Sequence, residues 1–248
     1  MSSLGTVLIS GGSRGIGAAT VRLAVESGFD VVFSYASRED AASVLVHELQ
    51  SCGRRVQGIQ ADVGVATDIE RLMGRLSDDQ EHLVGLVNNA GVTGPIGAFI
   101  ETTVETMRRV TEVNVLGTML LTQRVVRSWI GSRTRGSIVN VSSMAATLGA
   151  AGEYVHYAAT KGAVESFTIG LAKELAPTGI RVNAVSPGTT LTDIHATAGE
   201  PGRPLRVASR IPMQRVARPE EIAEAIIWLL QDKSSYVTGS VLRVAGGL

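Results

Sequence analysis

Cysteine is nearly absent from this chain: Cys52 stands alone in 248 residues. A single thiol excludes an internal disulfide framework and fits a reducing compartment. An excess of charge of either sign is missing too, with 23 Lys and Arg against 23 Asp and Glu. That balance argues against a nucleic-acid-binding face, which would need a basic excess or a basic stripe. No apolar run reaches the roughly eighteen residues that a bilayer span requires. The opening MSSLGTVLISGG has no basic segment followed by a long apolar stretch, so it predicts no signal peptide, and the cytoplasm is the expected location. Histidine is scarce, and His47, His82, His156 and His195 show no ligand spacing, which predicts no metal site. His195 reads as a solvated loop residue and Tyr154 as a packing residue able to line a pocket. No G-x-S-x-G elbow occurs with a supporting triad, so hydrolase chemistry has no footing. Lysine is rare as well, present only as Lys161, Lys173 and Lys233 in a chain rich in arginine.

What is present is 44% hydrophobic residues and 28 glycines, the composition of a globular protein with a well-filled core. Short β-branched runs alternate with longer helical patterns, the rhythm of βαβ units. Strands are predicted at 6–10, 30–35, 55–60, 83–88, 137–142, 181–186 and 240–244. Most are near-continuous apolar runs, as strands covered on both faces require. Helices are predicted from Ile16 to Ser27, closed by Gly28, and at 39–51, 67–77, 103–130, 153–176 and 219–231. No linker or repeat interrupts 1–248, so the expected fold is one α/β domain: a Rossmann-type, doubly wound parallel sheet in three α/β/α layers. The segment 187–218 breaks the rhythm, rich in Gly, Pro, Thr and Arg. A connection that long in a compact domain is usually functional, and it reads as a substrate lid.

The first predicted strand runs into Gly11-Gly12-Ser13-Arg14-Gly15-Ile16-Gly17, where a helix begins. Glycines there permit a tight turn and close approach of a pyrophosphate to the helix's free N–H groups. Strand before and helix after is the context that gives such a motif meaning. Tyr157 and Lys161 lie four apart on a predicted helix and therefore share a face. An ammonium near the phenol would favour its ionised form and bring it toward general acid/base use at neutral pH. Ser142 and Ser143 end a strand on the sheet edge where ligands bind; either hydroxyl could stabilise a substrate oxyanion. Asn114 is a polar interruption of the apolar stretch VNVLGTMLL. The second strand ends Ser34-Tyr35-Ala36-Ser37-Arg38, with no carboxylate before Glu39 and Asp40. An acid at that position holds the ribose 2′-OH of NAD. Without it, Ser37, Arg38 and Arg14 converge on a 2′-phosphate, which predicts NADP(H), with NAD(H) as the second choice.

The glycine spacing, Gly11-x3-Gly15-x-Gly17, resembles the TGxxxGxG fingerprint of the short-chain dehydrogenase/reductase superfamily. Other marks of that family follow in order: Asp62-Val63, Asn88-Asn89-Ala90-Gly91, Asn114, Ser142-Ser143, Tyr157-x3-Lys161 and Pro187-Gly188. The departures are Ser10 for threonine, Thr189-Thr190 for aliphatic residues, and Val244-Ala245-Gly246-Gly247 where VDGG is common. The resemblance implies an enzyme moving hydride between a nicotinamide cofactor and a carbonyl or alcohol. It assigns catalysis to Asn114, Ser143, Tyr157 and Lys161, taking the second serine of the pair. Asn114 is implied to bend its helix and to hold a water linking Lys161 to solvent. Cofactor contacts are implied at Gly11, Ser13, Arg14, Gly15, Ile16, Gly17, Ser37, Arg38, Asp62, Val63, Asn89, Ala90, Gly91, Tyr157, Lys161, Pro187, Gly188 and Thr192. Within the family the chain is similar to β-ketoacyl-carrier-protein reductases and bacterial glucose 1-dehydrogenases. GEYVHYAATKGA and GEPGR look like uncharacterised oxidoreductases near the latter. A homotetramer is expected, from surplus apolar residues on two helices (Val113, Leu116, Met119, Leu120; Phe167, Ile169, Leu171) that the family pairs across a two-fold axis. The rival reading is a catalytically silent dinucleotide sensor on the same fold, which would be expected to lose one of the site residues.

Overall fold

The computed structural model describes residues 3–76 and 83–248; the end of the predicted helix 67–77 and His82 lie outside the described residues. Seven parallel strands form one sheet in the order β3-β2-β1-β4-β5-β6-β7. These are β1 (Thr6–Ile9), β2 (Asp30–Tyr35), β3 (Val56–Gln60), β4 (Leu83–Asn88), β5 (Ser137–Val141), β6 (Arg181–Pro187) and β7 (Val241–Val244). Each parallel neighbour is reached by a crossover connection, as parallel pairing demands.

The helices between them are α1 (Gly15–Glu26), α2 (Glu39–Leu49), α3 (Ala66–Arg75), α4 (Val104–Thr111), α5 (Thr118–Ser132), α6 (Ala145–Leu148), α7 (Val155–Leu175), α8 (Ile194–Thr197), α9 (Arg203–Ala208) and α10 (Pro219–Leu230). They cover both faces, and the strands show why both must be apolar. In β1, Val7 and Ile9 pack into the core under α1, α2 and α10, while Leu8 between them packs into the opposite core. Side chains alternate faces along a strand, so a strand buried on both sides reads as an unbroken apolar run. The opposite core is closed by Ile69 and Leu72 of α3, Leu121, Val125 and Trp129 of α5, and Leu175 of α7.

One predicted helix is not continuous. Over 103–130 the chain forms α4, then a π-helical turn at Glu112–Gly117, then α5. Asn114 sits in that turn, as the expected bend requires. Wider turns of this kind arise where a side chain claims partners the ladder would otherwise use, and they cluster at functional sites. The segment 188–218 carries α8 and α9 and is pinned at its base by a Thr190–Ala217 bridge.

Candidate active site

The direction of winding reverses between β1 and β4, and the carboxyl ends of these strands open a cleft. Its floor is the turn after β1. Gly11 and Gly15 adopt φ values of +66° and +54°, the left-handed region that glycine enters without strain. A Cβ on Gly17 would stand 2.2 Å from the Gly11 carbonyl oxygen, so no larger residue lets the helix start so close to the turn. Ser10, at the fingerprint's threonine position, accepts from the Asn89 and Ala90 N–H groups at 3.1 Å each. Asn89 donates back to the carbonyls of Ser10 and Gly11 at 3.0 and 2.9 Å. The turn after β1 and the turn after β4 thus form one unit. No side chain caps α1 and its first turn holds no acid, which leaves its N–H groups free for an anion. A pyrophosphate fits this floor on geometry and on charge.

Ser13, Arg14, Ile16, Ser37, Arg38, Asp62, Val63, Gly91, Pro187, Gly188 and Thr192 all line the same cleft, which measures about 520 Å³. Thr192 packs over Gly15, its Cγ2 3.1 Å from where a Cβ would stand. Arg38 is engaged: its guanidinium donates to both oxygens of Asp40 at 2.9 and 2.8 Å. The pair is solvent-exposed, and exposed pairs of this kind are weak enough to exchange partners. Asp62 accepts from the Gly64 N–H at 2.9 Å through one oxygen and from Arg109 at 2.5 Å through the other.

The residues expected to be catalytic sit where β5 meets α7. Tyr157 and Lys161 do share a face, with Nζ 5.7 Å from the phenol ring centre, and both are buried. The expected lowering of the phenol by the lysine is not what results. Burial pushes the Tyr157 phenol up to about 12, offset in part by the Ser143 hydroxyl and by Arg203. Burial likewise pushes Lys161 down to about 8. Its ammonium donates to the Val141 carbonyl at 2.7 Å rather than serving the phenol. Desolvation disfavours whichever form is charged, so it acts against both the phenolate and the ammonium. Of the two serines, Ser142 donates to Glu165 at 2.8 Å and to the Lys161 carbonyl at 3.3 Å. Ser143 acts on the phenol as a hydrogen-bond partner and lines the cleft.

A family profile described as enoyl-(acyl carrier protein) reductase matches residues 11–248. The chain belongs to the short-chain dehydrogenase/reductase superfamily. It is an oxidoreductase whose chemistry is NAD(P)-dependent hydride transfer. Among its relatives, the uncharacterized oxidoreductase YgfF of Escherichia coli (strain K12) is 43% identical over 97% of this chain and 98% of its own. An L-rhamnose 1-dehydrogenase (NAD(P)(+)) of Sphingomonas sp. (strain SKA58) is 34% identical over 98% and 95%. A crystal structure of a short chain dehydrogenase from Burkholderia cenocepacia J2315 in complex with NADP superposes with a TM-score of 0.90 at 30% identity, covering 99% and 98%. The comparisons lend the silent-sensor reading no support.

Other family residues have their places. Asn114 spends its side chain on the chain itself: Oδ1 accepts from the Val92 N–H at 2.9 Å, and Nδ2 donates to the Val92 carbonyl at 2.9 Å and to Thr160 at 3.0 Å. Gly91 lies beside both groups: a Cβ there would stand in ordinary contact, 3.4 Å from Asn114 Oδ1 and 3.5 Å from Lys161 Nζ. His195 is not the solvated loop residue expected from its surroundings: it is buried, lines the cleft, and bonds the Thr190 carbonyl at 3.0 Å. Tyr154 also lines the cleft, edge-on to Tyr157 with ring centres 5.3 Å apart. Arg109, Glu153 and Arg203 were invisible to sequence reading. Each meets its partner across a long stretch of chain, and no local spacing signals such a pairing. Among the described residues no cluster could hold a metal ion.

Proposed function

We propose that the protein reduces a carbonyl compound with NADPH, or runs the reverse oxidation, with Tyr157 as the acid/base and Ser143 as the oxyanion donor. The observation that carries this reading is the phenol itself. Held protonated by burial, in one cleft with Ser143 and Lys161, it is ready to donate. The bound nicotinamide supplies or accepts hydride. Ser143 donates to the substrate oxygen and stabilises the negative charge that develops there. Tyr157 transfers its proton to that oxygen. Lys161 holds the ribose and restores the proton, and Asn114 fixes the turn against which Lys161 packs. Gly11, Gly15, Gly17 and the start of α1 hold the pyrophosphate; Asp62 and Val63 face the adenine; Asn89, Ala90, Gly91, Pro187, Gly188 and Thr192 wall the remainder. The segment 187–218 acts as the lid of this one domain.

NADP(H) preference is part of the proposal. It rests on Arg14, Ser37 and Arg38 at the cleft, and on the lack of an acid at the end of β2. Expected are a higher kcat/KM for NADPH than for NADH, a fall in that ratio for Arg38→Ala, and a rise for Asp40→Asn, which frees the guanidinium. A clear NADH preference that persists in Arg38→Ala would show this reading of the strand end to be wrong.

The assembly is proposed as a homotetramer built on α5, α7 and the π turn. Val113 belongs to the core, but Leu116, Leu120 and Ile169 remain exposed at 50%, 37% and 41%. Neighbouring helices left with apolar surface mark an interface. Light scattering should give four times the 26.0 kDa chain mass, and a monomer mass would refute the assignment. A cytoplasmic location completes the proposal and is consistent with an exposed, unpaired Cys52. No helix among the described residues is long and apolar enough to cross a membrane.

A further inference from the structure

We propose that His195 is a substrate-recognition residue, an uncharged hydrogen-bond acceptor in the cleft wall that selects a neutral hydroxylated carbonyl compound, or its alcohol, over a carboxylate-bearing one. The inference rests on the carbonyl-reductase reading above. His195 stands on α8, buried, in the same cleft as Ser143 and Tyr157. Its Nε2 lies 3.0 Å from the Thr190 carbonyl oxygen. A carbonyl oxygen only accepts, so Nε2 carries the proton and Nδ1 keeps a bare lone pair. Nδ1 has no partner among the described residues. Nor is it one of the sealed, partnerless polar atoms among the described residues, which are Thr6 Oγ1, Asn88 Oδ1 and His156 Nδ1. It therefore retains accessible surface, on a residue that lines the cleft. Burial lowers the imidazole's pKa, which keeps the ring neutral. A neutral Nδ1 takes a hydrogen bond from a hydroxyl and has nothing to offer a carboxylate.

The charges around His195 cancel. Arg203 donates to Glu153 through Nε at 2.9 Å and Nη2 at 2.5 Å. Arg206 donates to the other Glu153 oxygen at 2.7 Å and grips Glu200 through Nε at 2.5 Å and Nη2 at 2.8 Å. Two guanidinium groups thus face two carboxylates. Arg203 also lies against the Tyr154 ring, 5.2 Å from its centre. An arginine neutralised in this way is not a free clamp for an anion. Arg210 also lines the cleft, but it is exposed, where solvent screening weakens its pull on a carboxylate. Asp193, exposed and two residues before His195, also lines the cleft and offsets the charge of Arg210. The wall built from α8, α9 and the residues before α7 is therefore polar without net charge, and its open group is an acceptor.

The test uses substrate pairs differing by one hydroxyl: 2-hydroxycyclohexanone against cyclohexanone with NADPH, and D-glucose against 2-deoxy-D-glucose with NADP⁺. The anion 4-oxocyclohexanecarboxylate is the third arm. In at least one pair the hydroxylated member should lead in kcat/KM by about tenfold or more, the scale of one buried hydrogen bond. The carboxylate should not exceed cyclohexanone. His195→Leu should erase the hydroxyl advantage while changing the partner lacking it by less than about threefold, and His195→Gln, which keeps an acceptor oxygen, should retain part of it. NADPH fluorescence on binding establishes that each variant is folded, and the glutamine variant carries the comparison if the leucine variant does not bind. Three results would overturn the proposal: a preferred carboxylate, no hydroxyl advantage in the wild type, or an advantage that survives His195→Leu. If NADPH binds and no probe is turned over, it is the carbonyl-reductase reading itself that fails.

Discussion

Tyr157→Phe is expected to lower turnover by roughly 10²–10⁴-fold, the contribution of a positioned general acid/base, while cofactor binding stays near the wild-type value. The substitution removes one oxygen and nothing else. The ring keeps its edge-on contact with Tyr154 at 5.3 Å and its place in the cluster with Val110, Ala145 and Ala158. Stability should therefore change little, and NADPH fluorescence should report an intact cleft. With a pKa near 12 in the unliganded protein, the phenol is the acid form at every ordinary assay pH. Reduction, which consumes the proton, is the direction this state favours. Activity of Tyr157→Phe within about tenfold of wild type would remove the tyrosine from its role.

Lys161→Met should act in opposite directions on activity and stability. Turnover should fall by about two orders of magnitude or more, the scale of a lost acid/base and positioning group. The unliganded protein should nonetheless become more stable at neutral pH. Lys161 is buried with the Val141 carbonyl as its hydrogen-bond partner, and burial holds its pKa near 8 against an ordinary 10.5. The unfolded chain keeps a proton that the folded protein tends to release, so burial costs most below pH 8 and nothing above about 10.5. Methionine fills the volume without the charge, leaving only the Val141 carbonyl short of a donor. The expected gain is on the order of 1–3 kcal/mol at pH 7, shrinking as the pH rises toward 10. Thermal melts at pH 7 and pH 10 would check it. A lower Tm for the variant at pH 7, or a difference that ignores pH, would show that the lysine is stabilised in a way the Val141 contact does not capture.

Much of the architecture was legible from local pattern alone. A strand covered on both faces is apolar at most positions, so β1, β4 and β5 announced themselves as near-continuous apolar runs. The glycine turn was legible because its geometry excludes side chains: a Cβ at Gly17 meets backbone, and Gly11 and Gly15 need a left-handed φ. Tyr157 and Lys161 were paired by helical spacing, which is a local property.

What the tertiary structure decided concerns charge and burial, which depend on neighbours far along the chain. Spacing placed Lys161 beside the phenol but could not reveal that both groups are desolvated, so the sign of the effect on Tyr157 was misread. The helix expected over 103–130 contains a π turn because Asn114 bonds to Val92 and Thr160, neither of them a neighbour in sequence. Arg38 lines the cleft, yet its engagement by Asp40 depends on rotamers that no residue count supplies. His195 looked like a loop residue in water, and packing of 187–218 against the body of the protein made it a buried wall of the site. Periodicity and steric exclusion act between residues close in sequence and can be read directly. Desolvation and long-range pairing exist only once the chain has closed on itself.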